Sequence, residues 1–379
     1  MQVLKKSAAT LESLWDTLRY RLLPDWDKDT IMIRPYMGYA THDKIYLRGR
    51  VMDNEGIPQA TESDSWLRNL LSLYRRFETD EIPDAVISVT FDHYILQVKT
   101  GEEGYFEVDI PLEKPLPPDQ RQWTVDLELV SVPRQKLHSP VRAVGAVIAP
   151  ANHAQFGVIS DLDDTVLQSD VLDRVRLLRN TLFENARTRL PFTGVSGFYR
   201  ALQVGDETVY NPIFYVSSSP WNLYDVIVEF LDVQNIPAGP VFLQDFGISS
   251  SKFITTEHDD HKLHYIRQLL RDYPEMPFIL IGDSGQRDPE IYHAIVDEFP
   301  ERILAVYIRD VTLDVRDAEI AELAEATAKA NVDLLLVPDT LAAAQHACNN
   351  NWVSEAGLKE VEQAFAVDQV KEAQEEANS

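Results

Sequence analysis

The chain has 379 residues, 45% of them hydrophobic and 25% charged, a globular composition with room for two cores. No apolar run approaches the roughly 18 residues that a membrane span requires, and a single cysteine, Cys348, excludes an internal disulfide. The formal charge of −26 and an isoelectric point near 4.6 oppose binding to nucleic-acid backbones and loose adsorption to anionic membranes. An anionic substrate then has to be met by a local patch of opposite sign.

Residues 1–30 place Leu11, Leu14, Leu18 and Leu22 at helical spacing, which predicts an amphipathic helix. Lys5 and Lys6 are not followed by a continuous apolar stretch, so no secretory leader is expected. With the lone cysteine this points to the cytoplasm. Residues 31–150 read as a β-rich domain. Strands are expected at 44–52, 85–91, 94–99, 105–110, 124–132 and 141–148, with Gly101 and Gly104 in a hairpin loop. A helical patch over 66–77 carries Trp66, Leu70, Leu73 and Tyr74 on one side. A small β-sandwich with one helix fits this pattern. It offers no catalytic constellation, and it reads as a structural or recognition module whose protein partner is unknown.

After Pro150 short apolar runs alternate with helical patterns, the signature of an α/β parallel sheet flanked by helices. The runs fall at 156–160, 213–217, 241–243, 278–282, 303–308 and 332–337, and helices are expected near 220–233, 262–273, 289–298 and 318–330. This domain is expected over 151–350. From Ser354 onward seven acids stand against two lysines, so 351–379 reads as a solvated acidic helix or tail.

In parallel sheets, ligands sit beyond the carboxyl ends of the strands. Polar residues closing the runs are therefore the first candidates. The first run ends in Asp161-Leu162-Asp163-Asp164-Thr165. One carboxylate at a strand end can act as nucleophile, and a second two residues on as general acid and base. By itself such a cluster is equally a solvated turn. The second run ends in Ser217-Ser218-Ser219-Pro220, where a hydroxyl and a following helix N-terminus could hold phosphoryl oxygens, or Ser217 could simply cap the helix. Lys262 stands at a helix start and could neutralise a phosphoryl group; a surface lysine is the commoner case, and Lys252 is a rival. The fourth run ends in Gly282-Asp283-Ser284-Gly285-Gln286-Arg287-Asp288, whose carboxylates are the hard oxygen ligands that magnesium prefers. The conjunction of acid pair, hydroxyl, lysine and acid pair, in that order, is what points to phosphate-ester chemistry.

These motifs resemble the haloacid dehalogenase superfamily over about 150–345. The strings Asn180-Thr181, Phe192-Thr193-Gly194-Val195, Tyr215-Val216-Ser217-Ser218-Ser219-Pro220-Trp221-Asn222, His261-Lys262 and Asp288-Pro289-Glu290-Ile291-Tyr292 further resemble the actin-patch phosphatidate phosphatase family. The resemblance implies a phosphatase that uses Mg2+ and hydrolyses phosphatidate to diacylglycerol and phosphate. Asp161 would attack phosphorus to form an aspartyl-phosphate, and Asp163 would protonate the leaving oxygen and then activate water. Magnesium would be held by Asp161, the Asp163 carbonyl and Asp283, with Asp288 supporting the metal or the lysine. Ser217 and Lys262 would hold the phosphoryl oxygens.

The stretch 166–197 reads as a small helical cap, with Val171, Val175, Leu178 and Leu182 at helical spacing. It carries Arg174, Arg176, Arg179, Arg187 and Arg189 against Asp170, Asp173 and Glu184. Arginines that support a helix explain this, as does an anion-docking rim. Thr165, Ser218, Arg187 and Arg189 are the expected substrate contacts. Neither gap between the motifs has room for a large lid, so the site is expected to be open to bulky substrates such as lipids, met peripherally at a membrane surface. Two alternatives stand beside this: a phosphatase of soluble phosphomonoesters or phosphoproteins, and a binding scaffold with a silent phosphatase fold.

Overall fold

The computed structural model describes residues 31–53, 81–117, 120–133, 137, 139–150, 154–162, 193–205, 210–244, 256–311 and 316–376. The expected helix over 1–30, the helical patch over 66–77 and most of the cap lie outside these residues.

The N-terminal part is one mixed sheet of eight strands. These are β1 (Ile31–Pro35), β2 (Gly38–Ala40), β3 (Lys44–Asp53), β4 (Val86–Phe91), β5 (Tyr94–Lys99), β6 (Tyr105–Pro111), β7 (Gln122–Ser131) and β8 (Arg142–Ile148). Pairing runs β1-β3-β2-β8-β7-β4-β5, with β6 on the other edge of β3. The β2–β8 pair is parallel. The two stacked sheets expected from the sequence are thus joined, hydrogen bond by hydrogen bond, into one sheet wrapped round one core. Its strands alternate as a half-buried sheet must. Val125, Leu127 and Leu129 of β7 meet Val108 and Ile110 of β6 inside, while Glu107 and Asp109 point out. The predicted hairpin loop is there: Gly104 has φ 75°, and a Cβ on it would lie 2.5 Å from the Val51 carbonyl oxygen.

β3 is buried on both faces. Ile45, Leu47 and Val51 enter the sheet's own core, while Tyr46, Arg48 and Arg50 face the second half of the chain.

That half is a six-stranded, all-parallel sheet. Its strands are β9 (Gly157–Asp161), β10 (Ile213–Pro220), β11 (Val241–Gln244), β12 (Phe278–Asp283), β13 (Ile303–Arg309) and β14 (Asp333–Val337). Its helices are α1 (Val195–Val204), α2 (Tyr224–Val233), α3 (Thr256–Asp272), α4 (Asp288–Glu298), α5 (Asp317–Ala328), α6 (Thr340–Asn349) and α7 (Glu355–Glu376). Both faces are covered, so the strands are near-continuous apolar runs. Val158, Tyr215, Ile279 and Tyr307 enter one core, and Ile159, Phe214, Leu280 and Val306 the other. The order β11-β10-β9-β12-β13-β14 makes β9 and β12 neighbours whose chains leave in opposite directions. Such a switch point opens a crevice at the strands' carboxyl ends.

Structure and expectation differ at several places. Pro220 is extended (φ −71°, ψ 150°), so a 3₁₀ turn at Trp221–Leu223 precedes α2 where a helix was expected from residue 220. α1 begins at Val195, inside the stretch expected to be cap. The acidic C-terminal stretch is a helix that docks as far as Asp368 rather than lying free: Val361 is fully buried, and the Gly194 N–H donates to Asp368 Oδ2 at 3.0 Å.

The two sheets meet through aromatic and charged contacts. Tyr36 stacks on Trp221 with ring centroids 4.5 Å apart, and the Arg48 guanidinium lies 4.5 Å from the Trp221 centroid. Arg50 Nη1 donates to Asn222 Oδ1 at 3.0 Å, Tyr39 donates to Asp272, and Arg34 pairs with Asp225.

Candidate active site

Asp161 is the last residue of β9 and Asp283 the last of β12, so the switch point sets their carboxylates side by side. Gly282 allows a third to enter: a Cβ there would lie 2.5 Å from Asp288 Oδ2. Asp161, Asp283 and Asp288 each offer an oxygen within 4.8 Å of the others. Lys262 Nζ reaches the same point, 2.9 Å from Asp161 Oδ1 and 2.7 Å from Asp288 Oδ1. Only 3% of the lysine side chain is exposed, and none of Asp288. α3 starts six residues before Lys262, at Thr256, so the lysine projects from within the helix and not from its expected start.

Each group is fixed by neighbours. Asp283 Oδ1 accepts from the Gly285 and Gln286 N–H groups at 2.7 and 3.1 Å. Asp288 Oδ2 accepts from the Asp283 N–H at 3.2 Å, so both Asp288 oxygens are engaged, one by the lysine and one by backbone. Burial, and next the charge of Asp288, push the Asp283 carboxyl up from 3.8 to about 6, against the pull of the Gly285 and Gln286 N–H groups and Lys262. Among the described residues, three carboxylates thus face one ammonium. A hard divalent cation fits this donor set, because it would offset the charge that the lysine leaves unbalanced.

Ser217 is fully buried, one residue past the Val216–Asp161 register, and its Oγ accepts from the Ser219 N–H at 3.0 Å. Ser218 follows it, also buried. Asp163, Thr165, Arg187, Arg189 and the rival Lys252 lie outside the described residues. Thus the structure brings Asp161, Lys262, Asp283 and Asp288 together and sets Ser217 on the adjoining strand end.

A cavity beside Asp161 and Asp283 is walled by Leu162, Val195, Phe198 and Tyr307, with Arg309 among its polar residues. Arg309 was missed in the sequence, although it closes β13 just as Asp161 closes β9; the strand-end rule would have found it. Arg316 was also missed. It binds the Asp283 loop from 30 residues away, and no local pattern announces it.

A buried carboxylate–lysine centre at the switch point of a parallel α/β sheet is the class of site these residues define. Residues 156–310 match the family model described as "Phosphatidate phosphatase APP1, catalytic domain". Phosphatidate phosphatase APP1 of Saccharomyces cerevisiae is 35% identical over 165 residues, covering 42% of this chain and 27% of that protein. An uncharacterised protein of Schizosaccharomyces pombe is 27% identical over 252 residues, covering 65% of this chain and 39% of that one. The chain therefore matches well under half the length of either relative. The resemblance to the phosphatidate phosphatase catalytic domain is carried by the segment that holds Asp161, Ser217, Lys262, Asp283 and Asp288, and it leaves the N-terminal sheet outside. Among solved structures, a carbohydrate acetylesterase from Xanthomonas citri aligns with a TM-score of 0.25 and 12% identity, over 71% of this chain and 66% of that one. This likeness is too low to support any argument about fold.

Proposed function

We propose that this chain is a magnesium-dependent phosphomonoester hydrolase of the phosphatidate phosphatase kind, with a haloacid dehalogenase-like catalytic domain. The observation that carries the reading is Lys262 bridging Asp161 and Asp288 beside Asp283, within the segment that resembles the phosphatidate phosphatase domain.

In this reading Asp161 attacks phosphorus with a carboxylate oxygen. The bond from phosphorus to the leaving alcohol breaks as Asp163 gives that oxygen a proton. Asp163, now a carboxylate, takes a proton from water as its oxygen attacks the aspartyl-phosphate, releasing phosphate and restoring Asp161. Lys262 and Ser217 hold phosphoryl oxygens, and Thr165, Ser218, Arg187 and Arg189 are assigned as further contacts to the anionic substrate. Asp161, Asp283 and the Asp163 carbonyl would hold magnesium, whose contribution when bound is neutralisation of phosphoryl charge. Asp288 is assigned to the lysine rather than the metal, since both its oxygens are engaged.

Phosphatidate, giving diacylglycerol and phosphate, is the proposed substrate, met peripherally at a cytoplasmic membrane surface. No helix among the described residues is long and apolar enough to cross a bilayer. The charge of −26 favours a second reading, a soluble phosphomonoester, because it repels an anionic lipid surface. Purified protein tested with Mg2+ against phosphatidate in mixed micelles and a panel of soluble phosphomonoesters separates the two. Turnover of phosphatidate above every soluble ester is expected; turnover of soluble esters alone would reject the lipid.

A further inference from the structure

The Ser284–Gln286 loop turns two N–H groups onto Asp283 Oδ1. A loop that commits its amides inward leaves carbonyls that need donors of their own. Arg316, the residue preceding α5, supplies them. Its Nη1 donates to the Ser284 carbonyl at 2.9 Å and to the Gln286 carbonyl at 2.5 Å. The guanidinium is itself braced: Nη2 donates to Glu290 Oε1 at 2.6 Å, and Nε to Glu319 Oε2 at 3.2 Å. Ser284 is anchored separately, its N–H donating to the Arg309 carbonyl at 2.8 Å and its Oγ accepting from the Val311 N–H at 2.9 Å. Arg316 lies beyond residue 310, where the match to the family model ends.

We propose that Arg316 is a positioning residue for the divalent-cation site: by bridging the two loop carbonyls it holds the amides that aim the Asp283 carboxylate, and so sets the affinity of the site for metal. This rests on the metal reading above. The sign of the effect separates positioning from charge. A cation near a metal site repels the metal, so if Arg316 acted only through its charge, its removal would tighten metal binding. If it positions Asp283, its removal weakens binding, by the roughly 10–100-fold that outer groups around metal ligands typically contribute.

The test is calorimetric titration of Mg2+ into the full chain, with Mn2+ followed by electron paramagnetic resonance. Arg316→Gln is expected to raise the Kd for both metals about 10–100-fold, with kcat at saturating Mg2+ recovering to within a few-fold of wild type. Arg316→Lys, which keeps the charge and can reach one carbonyl, should recover part of the affinity. Glu322→Gln, an exposed change on the same helix, should leave Kd unchanged. An unchanged or tighter Kd in a folded Arg316→Gln protein overturns the proposal. Should that variant fail to fold, Glu290→Gln removes the brace alone; a weaker Kd supports the proposal and an unchanged one overturns it. Absence of metal binding by the wild type overturns both this proposal and the metal reading, whereas normal wild-type binding with an unaffected Arg316→Gln protein overturns this one alone.

Discussion

Asp283 concentrates the charge conflict of the site. Its carboxyl is pushed up to about 6 by burial and by Asp288, so the metal-free fold keeps the protonated acid up to a higher pH than the unfolded chain does. For an acid raised in this way the favourable state is complete below its ordinary value of 3.8, and stability is lost as pH rises through about 6. The loss is on the order of 3 kcal/mol at most. In EDTA, Asp283→Asn should therefore gain stability relative to wild type as pH rises from about 4 to about 7, read by urea unfolding; parallel pH profiles for the two proteins would show that the Asp283 carboxyl is not raised. Asp161, Ser217 and Asp283 were legible in the sequence because each closes an apolar run or follows directly after one, and Asp288 because it ends the polar string that begins with Asp283. Lys262 was legible as a candidate and not as the choice over Lys252, since the polar stretch from Thr256 to His261 hides the start of α3. Arg316 was invisible, its role existing only once the chain has folded.

At the scale of elements, most strands could be read because their alternation or apolar continuity follows from whether one face or two are covered. β1 and β2 could not: they are five and three residues long and are separated by a two-residue break in the pairing with β3 at Tyr36 and Met37. α6 was missed although Asp339 caps it, its Oδ1 accepting from the Ala342 N–H at 2.9 Å. The Ser-Ser-Ser-Pro-Trp-Asn string, prominent in the sequence as a family mark, has a docking role the sequence did not reveal. Trp221 is 3% exposed, held by Tyr36, Tyr105 and Arg48 from the N-terminal sheet and by Tyr224 from its own. Trp221→Ala should cost about 3–5 kcal/mol, the usual loss for a buried tryptophan, measured by denaturant unfolding. A loss under about 1 kcal/mol would mean that the two sheets are held together elsewhere.

Across the whole molecule, electrostatics set the terms on which a lipid substrate is met. A chain of charge −26 is repelled by an anionic bilayer over a Debye length, about 30 Å at 0.01 M salt and about 8 Å at 0.15 M. Turnover of phosphatidate in anionic vesicles should accordingly rise as NaCl is raised from 0.01 to 0.15 M, while turnover of a soluble ester changes much less. A fall over the same range would mean that the arginines of the 166–197 stretch, and not the net charge, govern the encounter. The division into a β-rich half and a parallel α/β half was readable from the change in texture at Pro150; the extent of their contact was not. It depends on Tyr46, Arg48 and Arg50, every second residue of a strand that, read alone, has one buried face too many.

The most direct test concerns Asp161 as the group that takes the phosphoryl from substrate. Protein mixed with substrate and Mg2+, quenched in acid within milliseconds and digested, can be mapped by mass spectrometry. The account predicts a phosphoryl group on the peptide containing Asp161, dependent on Mg2+ and absent from Asp161→Asn. Steady phosphate release by Asp161→Asn, with no phosphorylated peptide in either protein, would contradict it.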